Sequence, residues 1–217
     1  MFVGHVAAAF VGKRVEPKLS LGTLVLATML PDILWPIFSI VGIEYTTDSP
    51  VMPENNLRDI SYSHSLLMVA VWGALFTAGY FLWRRSRHQQ YDARALLILF
   101  AAVLSHWVLD AVANKHALAP GSHIYAGLML WSNLPATIII EGGFWVITII
   151  LYLRATRPKA RVAIYAFWPV VALLTFLWVT NIKRGAPEPK QVIGSLVLFV
   201  LLVAWAYWIN RARPARD

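Results

Sequence analysis

The chain of 217 residues contains no cysteine. That excludes disulfides and thiolate metal sites, so any bound metal must be held by nitrogen and oxygen donors. Charge is also scarce: 14% of residues are charged against 59% hydrophobic, and mean hydropathy is +0.60. That balance excludes an ordinary soluble domain and points to an integral membrane protein. Acidic residues are scarcer than basic ones, 11 against 19, for a formal net charge of +8. The basic residues sit in short loops between apolar stretches, so membrane topology explains them and no nucleic-acid partner is expected. The N-terminus, MFVGHVAAAFVGKR, lacks a basic region before its apolar run. It does not have the order of a secretory signal and is expected to be retained. No repeat and no separate soluble domain is visible; residues 1–217 read as one membrane domain, with the site motifs in 1–145 and additional spans in 146–217.

What is present is a series of apolar stretches. A short one, Phe2 to Gly12, is about half the length needed to cross a bilayer core. Six longer ones follow: Leu19–Val41, Tyr62–Trp83, Ala93–Ala113, Leu134–Leu153, Val162–Ile182 and Val192–Ile209. The expected fold is an all-α polytopic membrane bundle of six spans plus an N-terminal half-length helix. Pro31 and Pro36 predict a break near Asp32. AGLMLWSN, 126–133, reads as interfacial, and the tryptophans at 35, 83, 131 and 208 read as interface anchors.

Loop charge orients the bundle. RRSRHQQYDAR carries four Arg, RATRPKAR four basic residues and the tail RARPARD three Arg. The 42–61 loop has one Arg against Glu44, Asp48, Glu54 and Asp59. The positive-inside rule places the basic loops and the C-terminus in the cytoplasm, with the 42–61 and 114–125 loops outside. KRGAPEPKQ is net basic on the outer side, which long spans tolerate.

Against this apolar background stand His5, Asp32, His64, His106, Asp110 and Glu141, inside or at the ends of apolar segments, with His116 and His123 in the adjoining outer loop. A lone charge at the bilayer centre costs about 2.5 kcal/mol or more, so the set needs partners. The alternating topology brings Asp32, His64, His106, Asp110 and Glu141 to the outer half. His106 and Asp110 are i and i+4, on one helix face. Imidazole and carboxylate donors suit zinc, manganese or iron, and an ion would neutralise the carboxylates while using the nitrogens. Each residue alone has a structural alternative: Asp32 as a helix cap, Asp110 paired with Lys115, Glu141 bonded to a neighbouring helix. His88, among arginines, reads as a solvated residue.

Four motifs, GHVAAAF, MLPDILWP, YSHSLL and SHWVLD, occur in the order found in a LexA-regulated inner-membrane family described as metal-dependent hydrolases, which the chain resembles over residues 1 to about 145. Where that family often carries a second acid after Pro-Asp, this chain has Leu34; the arginine often preceding His-Ser is absent from DISYSHS. The family is distantly similar to zinc-dependent phospholipase C and single-strand nuclease enzymes. That likeness implies a ligand order met here by His5, Asp32, His64, His106, Asp110 and His116. The His and Glu on one helical turn that complete the third zinc there have as nearest candidates His123 and Glu141, which are far apart, so one or two ions are expected.

The expectation is a membrane-embedded hydrolase using a divalent metal, zinc above others, to lower the pKa of a bound water toward about 7. The resemblance implies a phosphoester of a membrane lipid or lipid-linked substrate. Asp32, His64, His106, Asp110 and Glu141 are the candidate catalytic residues. His5, Asp32, His64, His106, Asp110 and His116 are the candidate ligands, with Glu141, His116 and His123 open to a second ion or to acid–base work. The rival reading is a non-hydrolytic ion-binding or transport protein, since intramembrane acids beside a broken helix also mark ion pathways.

Overall fold

In the computed structural model the described residues are 2–44, 60–90, 92–181 and 192–216. Most of the acidic loop and KRGAPEPKQ therefore lie outside the described residues. Among the described residues the architecture is all-α apart from one two-residue strand pairing and an isolated bridge between Thr156 and Ala215. Helices are α1 (Phe2–Val15), α2 (Leu21–Thr28), α3 (Leu30–Ile40), α4 (Ser61–His64), α5 (Leu66–Ser86), α6 (Ala93–Ala113), α7 (Leu134–Thr137), α8 (Gly143–Ala155), α9 (Arg161–Asn181) and α10 (Val192–Ala212). Strands β1 (His116–Ala117) and β2 (Tyr125–Ala126) pair antiparallel between α6 and α7. Among the described residues, five helical stretches are long and apolar enough to cross a membrane, or six if the bent pair α2–α3 counts as one span.

α1 is the axis of the bundle. Its 14 residues have basic side chains only in the last turn, and Val3, Val6, Ala7, Ala9 and Phe10 are fully buried or nearly so. Apolar residues all round suit a helix surrounded by others, and α1 packs against α2, α6, α8 and α9. Phe10 stacks on Tyr152 of α8 with ring centroids 4.6 Å apart. By contrast α9 and α10 expose Tyr165, Phe176, Val197 and Leu201, apolar surface that a membrane helix turns to lipid.

The break expected near Asp32 occurs one turn earlier. α2 ends at Thr28, Met29 is the joint, and α3 leaves at 54°. Pro31 lies in the first turn of α3, where its missing N–H costs no helical bond, so it starts the second segment instead of breaking the first. Pro36 sits within α3. The bend sets the height of the site. α1 is anchored at its far end, where buried Lys13 donates to the carbonyls of Pro17 and Leu19 (2.7 and 2.8 Å). From Lys13 back to His5 is a rise of about 12 Å, and from Leu19 to Thr28 about 13 Å. Thr28 and His5 thus share a level, and after the bend Asp32 is carried sideways instead of further upward. A straight Leu19–Val41 helix would have lifted Asp32 out of reach.

A second break separates α4 from α5. Ser65 is extended (ψ 151°) and caps α5 through its hydroxyl, which accepts from the Met68 amide at 3.4 Å. His64 therefore ends α4 instead of opening a long span.

Two of the four tryptophans read as anchors do other work. Trp35 is buried in the core, and Trp131 donates its indole N–H to Glu141 Oε2 at 3.1 Å. Trp83 and Trp208 are exposed, as an anchor should be.

Candidate metal centre

Four elements converge at the end of the bundle opposite Lys13: the start of α1, the start of α3, the end of α4 and the last two turns of α6. They bring His5, Asp32, His64, His106 and Asp110 together. His5 Nε2 lies 3.1 Å from Asp110 Oδ1, and His106 Nε2 lies 3.1 Å from Asp110 Oδ2. Asp32 Oδ1 is 3.4 Å from His64 Nε2 and 3.8 Å from His106 Nε2. The rings of His5 and His106 stack with centroids 3.8 Å apart. Two overlapping triads, His5–Asp32–His106 and His64–His106–Asp110, each have one donor atom per residue within 4.8 Å of the others. His106 is fully buried, and His5, His64 and Asp110 nearly so.

His106 is the most informative member. Its Nδ1 lies 2.8 Å from the carbonyl oxygen of Thr28. A carbonyl only accepts, so Nδ1 carries a proton and Nε2 is the nitrogen turned to the cluster. Nε2 is buried and has no hydrogen-bond partner among the described residues, although two carboxylates face it. A buried polar atom without a matched partner is expensive. A cation at the shared focus, binding Nε2 and the carboxylates together, removes that cost. The spacing fits: ligands about 2.0–2.1 Å from one zinc-like ion in a tetrahedron stand about 3.3 Å apart, close to the 3.1–3.8 Å seen here. The donor set is also right, imidazole and carboxylate without thiolate. On geometry and donor chemistry the residues fit a divalent metal.

The remaining candidates stand at different distances from this focus. His116, on β1, has its ring 6.3 Å from that of His64, and burial pushes its pKa down to about 4, so it is neutral at ordinary pH. The β1–β2 hairpin lies against the site end through Leu67 N–H to Leu118 O (3.0 Å) and Trp107 Nε1–H to Ala117 O (3.3 Å). Gly127 closes it, because a Cβ there would overlap the Asn114 carbonyl. His123 is exposed in the hairpin loop. Glu141 is fully buried in a π-helical turn, Ile138–Gly142, with Trp131 as donor, and belongs to neither ligand triad. Lys115 is exposed, and the ion pairs of Asp110 run to His5 and His106.

Sequence reasoning missed Glu44 and Ser63. Gly42 (φ +77°) reverses the chain after α3, with the amides of Ile43 and Glu44 both bonded to Phe38 O. Glu44 thereby turns inward and is buried. Its carboxylate accepts from the Ser63 amide at 2.6 Å and the Ser63 hydroxyl at 2.7 Å, while burial pushes its pKa above the usual carboxyl range against those bonds. Glu44 reads in the sequence as one of four acids in a polar loop, and nothing in its spacing sets it apart. Ser63 lies inside the YSHS motif, which was the available signal.

No curated protein and no solved structure matches the chain. A family model described as YdjM inner membrane protein matches residues 1–212. That span includes α9 and all of α10, beyond the first 145 residues that carry the sequence motifs. The chain, with its apolar helices, is a multi-pass member of the YdjM inner membrane protein family.

Proposed function

We propose that the protein is a membrane-embedded hydrolase that uses a divalent metal, zinc-like and one or two ions, on a phosphoester of a lipid or lipid-linked substrate. The observation that carries the metal is His106 Nε2, buried between the carboxylates of Asp32 and Asp110 without a hydrogen-bond partner among the described residues. A bound ion would supply Lewis acidity and a water of lowered pKa. This chain's residues hold and orient: Thr28 O fixes the His106 tautomer, Asp110 reaches His5 with one oxygen and His106 with the other, and Asp32 joins α3 to His64. The phosphoester class rests on the motif resemblance, as does LexA-dependent expression. Loop charge supports an outward-facing site and a cytoplasmic C-terminus. The transport reading is less well supported, because the described core residues of α1 from His5 toward Lys13, Val6, Ala7, Ala9 and Phe10, are all apolar.

The test is metal analysis of purified full-length protein together with hydrolysis of phospholipid and lipid-linked phosphoester substrates. At least one transition-metal ion per chain and chelator-sensitive turnover are expected. Metal without turnover on any substrate favours the ion-binding alternative; absence of metal removes both. Orientation is read by cysteine labelling, unobstructed in a chain without native cysteine. Asn55→Cys should label from outside and Gln89→Cys from the cytoplasm.

A further inference from the structure

We propose that Glu44 and Ser63 form a positioning relay that fixes the tautomer of His64 and so aims its Nε2 lone pair at the site. The inference takes its ion from the metal reading above, but the tautomer can be measured without one.

The argument is a proton count. Ser63 Oγ has three neighbours within hydrogen-bond reach: Glu44 Oε2 at 2.7 Å, His64 Nδ1 at 2.7 Å and Ile60 O at 3.2 Å. Carboxylate and carbonyl oxygens only accept, and the hydroxyl has a single proton. If that proton went to His64 Nδ1, Glu44 Oε2 would face the hydroxyl lone pairs at 2.7 Å, acceptor against acceptor, in a place where Ser63 and Glu44 are both buried. If it goes to Glu44, at the same 2.7 Å but the charged acceptor, the hydroxyl oxygen is free to take a proton from Nδ1. Both short contacts of Ser63 Oγ are then satisfied, and the Ile60 carbonyl takes the His64 amide instead (2.9 Å). The unprotonated Nε2 of a neutral His64 faces Asp32 Oδ1 at 3.4 Å, the one acceptor–acceptor contact left, which a bound ion would bridge. The backbone holds the relay still: the Ser63 amide donates to Glu44 Oε1 at 2.6 Å, pinning the carboxylate over the first turn of α4.

The same outcome is reached at His106 by other means, through the Thr28 carbonyl. Both histidines thus present Nε2 to Asp32, one set by main chain and one by side chains. Outer hydrogen bonds of this kind commonly set ligand tautomer and affinity. Only the side-chain device can be edited.

Glu44→Gln should reverse the relay. The Ser63 amide requires an acceptor at the Oε1 position, so the glutamine oxygen sits there and its NH2 faces Ser63 Oγ. The hydroxyl then donates to Nδ1, and the proton of His64 moves to Nε2, where it blocks ligation. Nitrogen NMR of histidine-labelled, metal-free full-length protein at about pH 8, above the ordinary histidine range, reads this directly, with His64→Gln assigning the signal. Wild type should show Nδ1–H and Glu44→Gln should show Nε2–H. Zn2+ affinity should fall about 10–100-fold in Glu44→Gln. Ser63→Ala should fall with it, and Ser63→Thr, which keeps the hydroxyl, should restore wild-type affinity. If Glu44→Gln does not give monodisperse protein, the Ser63→Ala and Ser63→Thr pair carries the test. Nε2–H in the wild type, Nδ1–H retained in Glu44→Gln, or equal affinities across the Ser63 pair would overturn the relay. A wild type that binds no Zn2+ but shows the tautomer exchange would sink the metal reading and leave the relay standing.

Discussion

The two ends of α1 bury ionisable groups under opposite rules. At the C-terminal end, the Lys13 ammonium donates to two main-chain carbonyls, Pro17 O and Leu19 O, and closes the turn into α2. Nearby, Arg94 reaches the Val15 carbonyl at 2.9 Å and lies 3.7 Å from Glu16. Donors there meet acceptors. At the N-terminal end, twelve or so ångströms away, three imidazoles and two carboxylates converge, and His106 Nε2 faces two carboxylates without a hydrogen-bond partner among the described residues. Burial alone therefore does not mark a site, since both ends are buried. The mismatch between donors and acceptors does. A structural charge is retained with its counterparts in place, whereas a ligand set is incomplete until something else arrives.

The largest expected effect breaks the site end and spares the other. Asp110→Ala or His106→Ala should reduce metal from at least one ion per chain to near zero in monodisperse protein, an affinity loss greater than about 100-fold and so larger than outer-sphere changes cause. Metal retained in the double substitution would show that the two ends obey the same rule after all.

Acid should separate the ends next. Ligand histidines must be neutral, and their ordinary pKa is about 6.5. Below that, protons compete with the ion, so affinity should fall as pH drops, by about tenfold per unit for each histidine ligand. The Lys13 end carries no histidine among these contacts. Metal titrations at stepped pH check the sign; affinity that rises in acid would exclude imidazole ligation.

Lys13→Met is the converse change. It leaves buried carbonyls without a donor, which costs about 1–3 kcal/mol. Thermal unfolding in detergent should shift down while metal content stays at the wild-type level. Loss of metal in this variant would mean that the turn at Lys13 sets the height of His5, tying the ends together.

How much of this the sequence disclosed follows from what kind of information each feature needs. Spans and the intramembrane His and Asp residues are local signals, legible from hydropathy and the cost of burying charge. Grouping by depth followed from alternating topology. His5 is the exception: with a straight Leu19–Val41 helix it would lie below Asp32, and the 54° bend at Met29 removes that mismatch. The bend itself was half legible, because Pro31 announced a discontinuity but its tolerance in a first turn placed the joint ahead of it. Glu44 was not legible. Its role depends on a left-handed Gly42 turning the chain inward and on a serine nineteen residues later, and no periodicity encodes that pairing. Glu141 is buried, yet its described partner is an indole instead of an imidazole.

The smallest expected effect concerns His116. The motif order places it in the ligand set; the geometry places it beside. Its ring is 6.3 Å from that of His64, it belongs to neither compact triad, and it rides on the β1–β2 hairpin instead of a bundle helix. Burial holds its pKa near 4, so it keeps an available lone pair throughout the range in which the other histidines bind metal. Availability is not the obstacle; distance is. A hairpin tied to the bundle by Leu118 O and Ala117 O can move as a unit, but drawing His116 onto the ion would strain both bonds. His116→Ala should therefore change metal affinity less than about tenfold, the low end of outer-sphere effects, and leave the acid dependence nearly as steep. A loss as large as that of His106→Ala, with a shallower pH slope, would place His116 in the ligand set and require the hairpin to close over the metal.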